Sequence, residues 1–203
     1  MEVLRATDEA IRRAAVIVRQ GGVVIYPTET VYGLGCNPAI VEAAKRVCFI
    51  KGRADKPLPI ACADMETAKN IVDFSPAAER VASRFWPGPL MLVLPAKVEY
   101  SIWITHGAST LGVRVPDHSV ARRLAKLSGG AIVSTSANRS DEPPPATAQE
   151  AADRIGGEVD IILDGGSSPL RQPSTVLDLS GENAWILRKG PITARQLREA
   201  LSI

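Results

Sequence analysis

Two short stretches hold the side chains best suited to chemistry. The first is Pro27-Thr28-Glu29-Thr30-Val31-Tyr32-Gly33-Leu34-Gly35, followed sixteen residues after Gly35 by Lys51-Gly52-Arg53-Ala54-Asp55-Lys56-Pro57-Leu58. It sets three cations within six residues, near a hydroxyl-rich loop. Arginine offers a flat fork that matches phosphate or carboxylate, and lysine offers a mobile point charge. A polyphosphate uses both. The second stretch is Ser134-Thr135-Ser136-Ala137-Asn138, which reads as small hydroxyl and amide groups on a tight turn after a strand. Together they describe a pocket for an anion that also needs hydrogen bonds.

Each stretch also has a purely structural reading. Cations at a helix C-terminus complement the macrodipole by ~0.3–1 kcal/mol each. Ser, Thr and Asn after a strand commonly cap a helix or close a turn. Arg114, alone on the apolar strand around Val113-Arg114-Val115, needs an anionic partner if buried, and that partner is either an acid of the chain or a ligand. Arg188 ends the apolar run Ala184-Trp185-Ile186-Leu187 in the same way. His118 reads as a turn residue.

Several chemistries are excluded. There is no G-x-x-x-x-G-K-[ST] phosphate loop, and Gly33-Leu34-Gly35 lacks the third glycine of a dinucleotide fingerprint. No G-x-S-x-G elbow appears. Cys36, Cys48 and Cys62 form no C-x-x-C pair and lie far from His106 and His118, so no zinc framework is expected and the thiols read as ordinary buried ones.

Composition narrows the class further. With 24 basic against 22 acidic residues the net charge is +2, too small a surplus for a protein that wraps nucleic acid. Aromatics make up 4%, few for a reader of stacked single strands. No apolar run approaches the ~20 residues that span a bilayer, and no signal peptide is visible, so a cytoplasmic protein is expected.

The elements that must position these residues alternate along the chain. Helical periodicity covers 8–20 after a Thr7 cap and ends at Gly21-Gly22. Asn37-Pro38 reads as N-cap and N1 of a helix to about Phe49. Ser75-Pro76 opens another, and 119–127 forms a further one. Thr147 and Thr193 each open a capping box. Short apolar runs at 23–26, 58–63, 90–94, 111–115, 131–134, 159–163, 175–179 and 185–187 read as strands. The expectation is an α/β domain around one sheet, mixed because 175–187 makes a hairpin. Strand C-termini then carry Thr28, Thr30, Arg114, Ser134 and the Asp164-Gly165-Gly166 turn, where open α/β sheets bind ligands.

The motifs also resemble the YrdC-like family, the threonylcarbamoyl-AMP synthases, over nearly the whole chain. The resemblance rests on residues 26–35, Lys51-Gly52-Arg53 with Lys56-Pro57-Leu58, Phe85-Trp86-Pro87-Gly88-Pro89-Leu90, Gly112 to Pro116, Thr135 to Asn138, Pro173 to Val176 and Leu187 to Gly190. It implies a single domain over residues 1–203, with a twisted mixed sheet, flanking helices and a basic central cavity. It implies synthesis of L-threonylcarbamoyl-AMP and pyrophosphate from L-threonine, bicarbonate or CO2, and ATP. Mg2+ is expected to ride with the ATP, with no metal site on the protein. The product would feed a downstream threonylcarbamoyl transferase complex acting on tRNA, which this chain would contact weakly or indirectly.

Carried over by position, Lys51, Arg53, Ser136 and Asn138 form the expected catalytic set. Thr30, Arg114, Ser134 and Ser174 are expected on the threonine side. Lys51, Arg53, Lys56, Thr110, Ser136 and Arg188 are expected on ATP. The chain departs from the family pattern at two places. Ala61 stands about where some two-domain members carry a histidine, and Ser140-Asp141 replaces a Ser-Gly. Nothing follows Ile203, which reads as the short form. The rival readings are an RNA-binding module and a carbamoyl-transfer domain of the hydrogenase-maturation kind.

Overall fold

Leu90, Leu92 and Leu94 are fully buried, while Met91, Val93 and Pro95 between them are half-buried. This alternation lays one face of strand β5 (Leu90–Pro95) on the core and turns the other toward a cavity. Each buried leucine contributes about 1.5–3 kcal/mol relative to exposure. The computed structural model containing it describes residues 2–52 and 56–202.

Two mixed sheets are present where the sequence suggested one. The first orders β1 (Glu2–Arg5), β9 (Ile161–Asp164), β2 (Val24–Tyr26), β3 (Gly33–Gly35) and β8 (Thr135–Ser136). The second orders β11 (Trp185–Arg188), β10 (Thr175–Asp178), β5, β6 (Thr110–Arg114), β4 (Ile60–Cys62) and β7 (Ala131–Val133). The chain crosses between them at Ser134. β7 pairs with β4, and two residues later Thr135 and Ser136 pair antiparallel with Leu34 and Gly33. So the Ser-Thr-Ser stretch is a short strand and a sheet crossing, not only a turn. The crossing needs close backbone approach: a Cβ on Gly35 would sit 2.5 Å from the Val133 carbonyl oxygen.

The helices follow their caps. Thr7 Oγ1 accepts from Ala10 N–H and starts α1 (Asp8–Arg19), whose Ile11, Ala14, Ala15 and Val18 are buried. α1 packs on α6 (Ser119–Leu127), closing a second apolar cluster with Tyr26, Ile132 and Leu163. Ser75 caps α4 (Pro76–Phe85), with proline at its first position. Thr193 and Gln196 complete a reciprocal box on α8 (Ala194–Leu201), which packs on α4. At Thr147 only half the box forms. Its hydroxyl accepts from Glu150 N–H to open α7 (Ala148–Ile155), but the Glu150 carboxylate takes Ala146 N–H at 2.7 Å.

The helix expected at Asn37-Pro38 starts later. α2 (Val41–Lys51) begins at Val41, because Asn37 Oδ1 accepts from Ala39 N–H and its carbonyl from Ile40 N–H, closing a local turn first. Short elements with weak patterns escaped the sequence reading: β1, β3, α3 (Met65–Ile71) and α5 (Ile102–Thr105). Among the described residues no helix is long and apolar enough to cross a membrane.

Candidate active site

A cavity of about 650 Å³ opens between the β2–β3 loop, the β7–β8 crossing and the exposed face of the second sheet. Thr28 shapes the first wall. Its hydroxyl donates to Val31 O at 2.7 Å and accepts from the N–H groups of Thr30 and Val31. Since its one proton is spent on Val31, the 2.8 Å contact between the two hydroxyls has Thr30 donating to Thr28. Thr30 Oγ1 also accepts from Arg114 Nη1 at 3.0 Å. Thr30 therefore offers the cavity a lone pair and no proton, which suits an ammonium or hydroxyl donor.

Arg114 closes the floor of this corner. Its Nε donates to Gly88 O at 3.0 Å, and its Nη2 lies 2.5 Å from Glu29 Oε1. The anionic partner demanded by an arginine on an apolar strand is thus an acid of the chain. Arg114 still lines the cavity, as does Arg188, whose Nε and Nη2 donate to Ser174 O and Oγ at 3.0 and 3.1 Å. Partial removal from water lowers the Arg188 pKa, and the charge of Arg114 adds to the effect.

Lys56, Thr110, Ser134 and Ser136 line the same cavity. Lys56 is exposed at its mouth. Ser134 is held by its N–H to Pro59 O at 2.8 Å. Lys51 and Asn138 are buried and stand behind Ser136. Lys51 Nζ donates to the carbonyls of Ser136 and Asn138 at 2.7 and 2.6 Å and reaches Ser136 Oγ at 3.4 Å. Asn138 Nδ2 donates to Arg139 O and Glu142 O, which folds the following loop. Arg53 lies outside the described residues.

The two departures from the expected pattern have clear places. Asp141 has φ +67°, the left-handed region that a glycine adopts without cost, so the turn keeps its shape. Ala61 is buried in β4, in register with Arg114. His118 precedes α6 without capping it, and burial lowers its pKa against the opposing pull of Glu29. Tyr32 donates to Gly166 O at 2.7 Å, and burial pushes its phenol up to about 12.

Sequence reasoning left Glu29 and Asp178 without roles. Glu29 was legible in principle, as an acid between two threonines after a strand, waiting for the lone cation on an apolar strand. Asp178 carried no signal beyond ending a strand. Among the described residues no three His, Cys, Asp or Glu side chains converge as a metal cage.

The Sua5/YciO/YrdC family model, described as telomere recombination, matches residues 16–190. The chain belongs to this family. A family member named threonylcarbamoyl-AMP synthase in Halorhodospira halophila is 37% identical over 88% of this chain and 94% of its own length. The Pyrococcus abyssi protein of that name is 40% identical over 97% of this chain, which spans only 58% of that relative's length. The crystal structure of P. abyssi Sua5 complexed with L-threonine superposes with a TM-score of 0.92 at 40% identity, covering 98% of this chain and 59% of that one. Escherichia coli YciO superposes at 0.87 with 26% identity over 97% of this chain and 98% of its own. The mixed α/β architecture is the family fold.

Proposed function

We propose that this protein is an L-threonylcarbamoyladenylate synthase, a nucleotidyltransferase that joins L-threonine, bicarbonate or CO2, and ATP. The observation that carries the reading is the corner formed by Thr30, Arg114, Ser174 and Arg188. It pairs the Arg114 guanidinium, suited to a carboxylate, with a Thr30 acceptor suited to an amine, and sets Arg188 beside them for the nucleotide. The names of the relatives and the threonine complex of the P. abyssi protein support it.

In this reading Arg114 and Ser174 hold the threonine carboxylate, Thr30 accepts from its amine, and Ser134 borders the side chain. Thr110, Ser136 and Arg188 hold the nucleotide, Arg53 and Lys56 clamp its phosphates, and Lys51 adds its charge from behind Ser136. Asn138 fixes the loop that presents Ser136. Magnesium enters with the triphosphate as part of the substrate.

The threonine nitrogen attacks the carbon of CO2 and loses a proton, giving a carbamate. A carbamate oxygen then attacks the α-phosphorus, and the bond to the β-phosphate breaks to release pyrophosphate. Positioning and charge neutralisation supply most of the acceleration. Residues 1–203 act as one unit in the cytoplasm. The product passes to a transferase complex that modifies tRNA, and tRNA binding by this chain alone is weak.

The test is pyrophosphate release from ATP measured with threonine and bicarbonate each omitted in turn. Release that requires both supports the synthase. Release indifferent to either, or tight salt-insensitive tRNA binding in a gel shift, overturns it. Replacing threonine by serine lowers kcat/KM by about 10–200-fold, the worth of one methyl group in an apolar pocket.

A further inference from the structure

The cavity wall that runs from Arg114 across the second sheet is apolar, formed by Met91 and Val93 on β5, Val176 on β10 and Leu187 on β11. One carboxylate interrupts it. Asp178 is the only acid among the described lining residues, two positions beyond Val176 and so on the same strand face. From the strand registers it stands two strands across and two residues along from Arg114, about 12 Å at ordinary sheet spacings. That span leaves room for a ribose and a phosphate between the two groups.

The carboxylate is half committed. Ser180 N–H and Ser180 Oγ–H both donate to Asp178 Oδ1, at 2.9 and 2.6 Å. Among the described residues no hydrogen bond reaches Oδ2. An ionised carboxylate is acceptor-only, so the site presents one fixed oxygen beside four apolar side chains. A flat ring packed on that wall is favoured if an exocyclic amino group at its far edge meets the free oxygen. Guanine reads best against both oxygens of a carboxylate, through its N1–H and N2–H, and here one oxygen is already filled. At position 6 hypoxanthine carries an acceptor oxygen in place of the amino group, with its donor displaced to N1–H, and unsubstituted purine carries no polar hydrogen there.

We infer that Asp178 Oδ2 accepts a hydrogen bond from the 6-amino group of adenine and thereby selects ATP among purine nucleoside triphosphates. This rests on the reading of ATP as substrate above. Asp178 is a specificity residue and takes no part in bond making.

Calorimetric titration of the 203-residue chain with the magnesium complexes of ATP, ITP, GTP, purine riboside triphosphate and 2′-deoxy-ATP tests it. Wild type binds ATP about 10–150-fold more tightly than purine riboside triphosphate, the factor for one hydrogen bond to a charged group. Asp178→Ala brings that ratio to within about 2-fold of unity. Asp178→Asn is isosteric, keeps an oxygen for Ser180 and turns an amide donor to the ring, so preference shifts from ATP toward ITP. Ser180→Ala keeps the carboxylate and the wild-type ratio. An unchanged ATP preference in both Asp178 variants overturns the inference while leaving the synthase reading intact. So does a 2′-deoxy-ATP penalty that Asp178→Ala erases, which would assign the carboxylate to the ribose. Absence of ATP binding by wild type overturns the synthase reading and this inference with it.

Discussion

Arg114 and Glu29 lie 85 residues apart in sequence and meet at 2.5 Å, with their side chains 10% and 8% exposed. Glu29 Oε1 also accepts from Asp117 N–H at 3.0 Å. The pair therefore ties the β2–β3 loop to the segment leaving β6, and it fixes the guanidinium that faces the cavity.

Breaking a buried pair from one side strands a charge. Glu29→Ala is expected to cost about 3–5 kcal/mol, seen as a lower midpoint in urea unfolding. Glu29→Gln costs less, because its amide oxygen still accepts from Asp117. A midpoint within error of wild type for Glu29→Ala would show that the pair does not hold the site.

Lys51 and Lys56 are predicted to separate structure from binding. Lys51→Met leaves two inward carbonyls without their donor and lowers stability by about 3–6 kcal/mol, the sum of two bonds to a charged group. Lys56→Met leaves the melting temperature unchanged, since Lys56 is exposed. It weakens ATP binding about 10-fold if it neutralises a phosphate. Equal stability losses in the two variants would contradict this division.

Asp141 occupies left-handed backbone at φ +67°. Asp141→Gly relieves that conformation and raises stability by about 0.5–1 kcal/mol, while Asp141→Val, branched at Cβ, lowers it by about 1–2 kcal/mol. For a chain of this size 1 kcal/mol moves the melting temperature by roughly 2–4 °C, which calorimetry resolves. The opposite order of the two variants would rule out backbone strain at this position.

Burial pushes the thiols of Cys36 and Cys62 from 9.0 up to about 12. The folded state therefore holds these protons more tightly than the unfolded chain. The resulting stability is complete below about pH 9 and is lost as pH rises from there toward 12. At pH 8 a thiol reagent should label neither residue faster than the protein unfolds, and denaturant should expose both. Rapid labelling of the native protein would place these thiols at the surface.

The sequence by itself determined the local elements and the inventory of the site. Thr7, Ser75 and Thr193 mark helix starts because capping is read within four residues, and β5 alternates because one of its faces is dry. Where two local signals competed, at Asn37, the turn prevailed and the helix start moved to Val41. Tertiary structure alone decided that there are two sheets. The crossing at Ser134 depends on Gly35 passing close to Val133, a contact between residues about 100 positions apart that no local pattern encodes. It also decided that Arg114 finds Glu29 and not a distant Asp, and that Lys51 spends its protons on the carbonyls behind Ser136. Residue type limits which partners a buried charge will accept. Which partner it meets depends on the packing of sheets that bring remote segments together, because burial makes an unpaired charge too costly to leave alone.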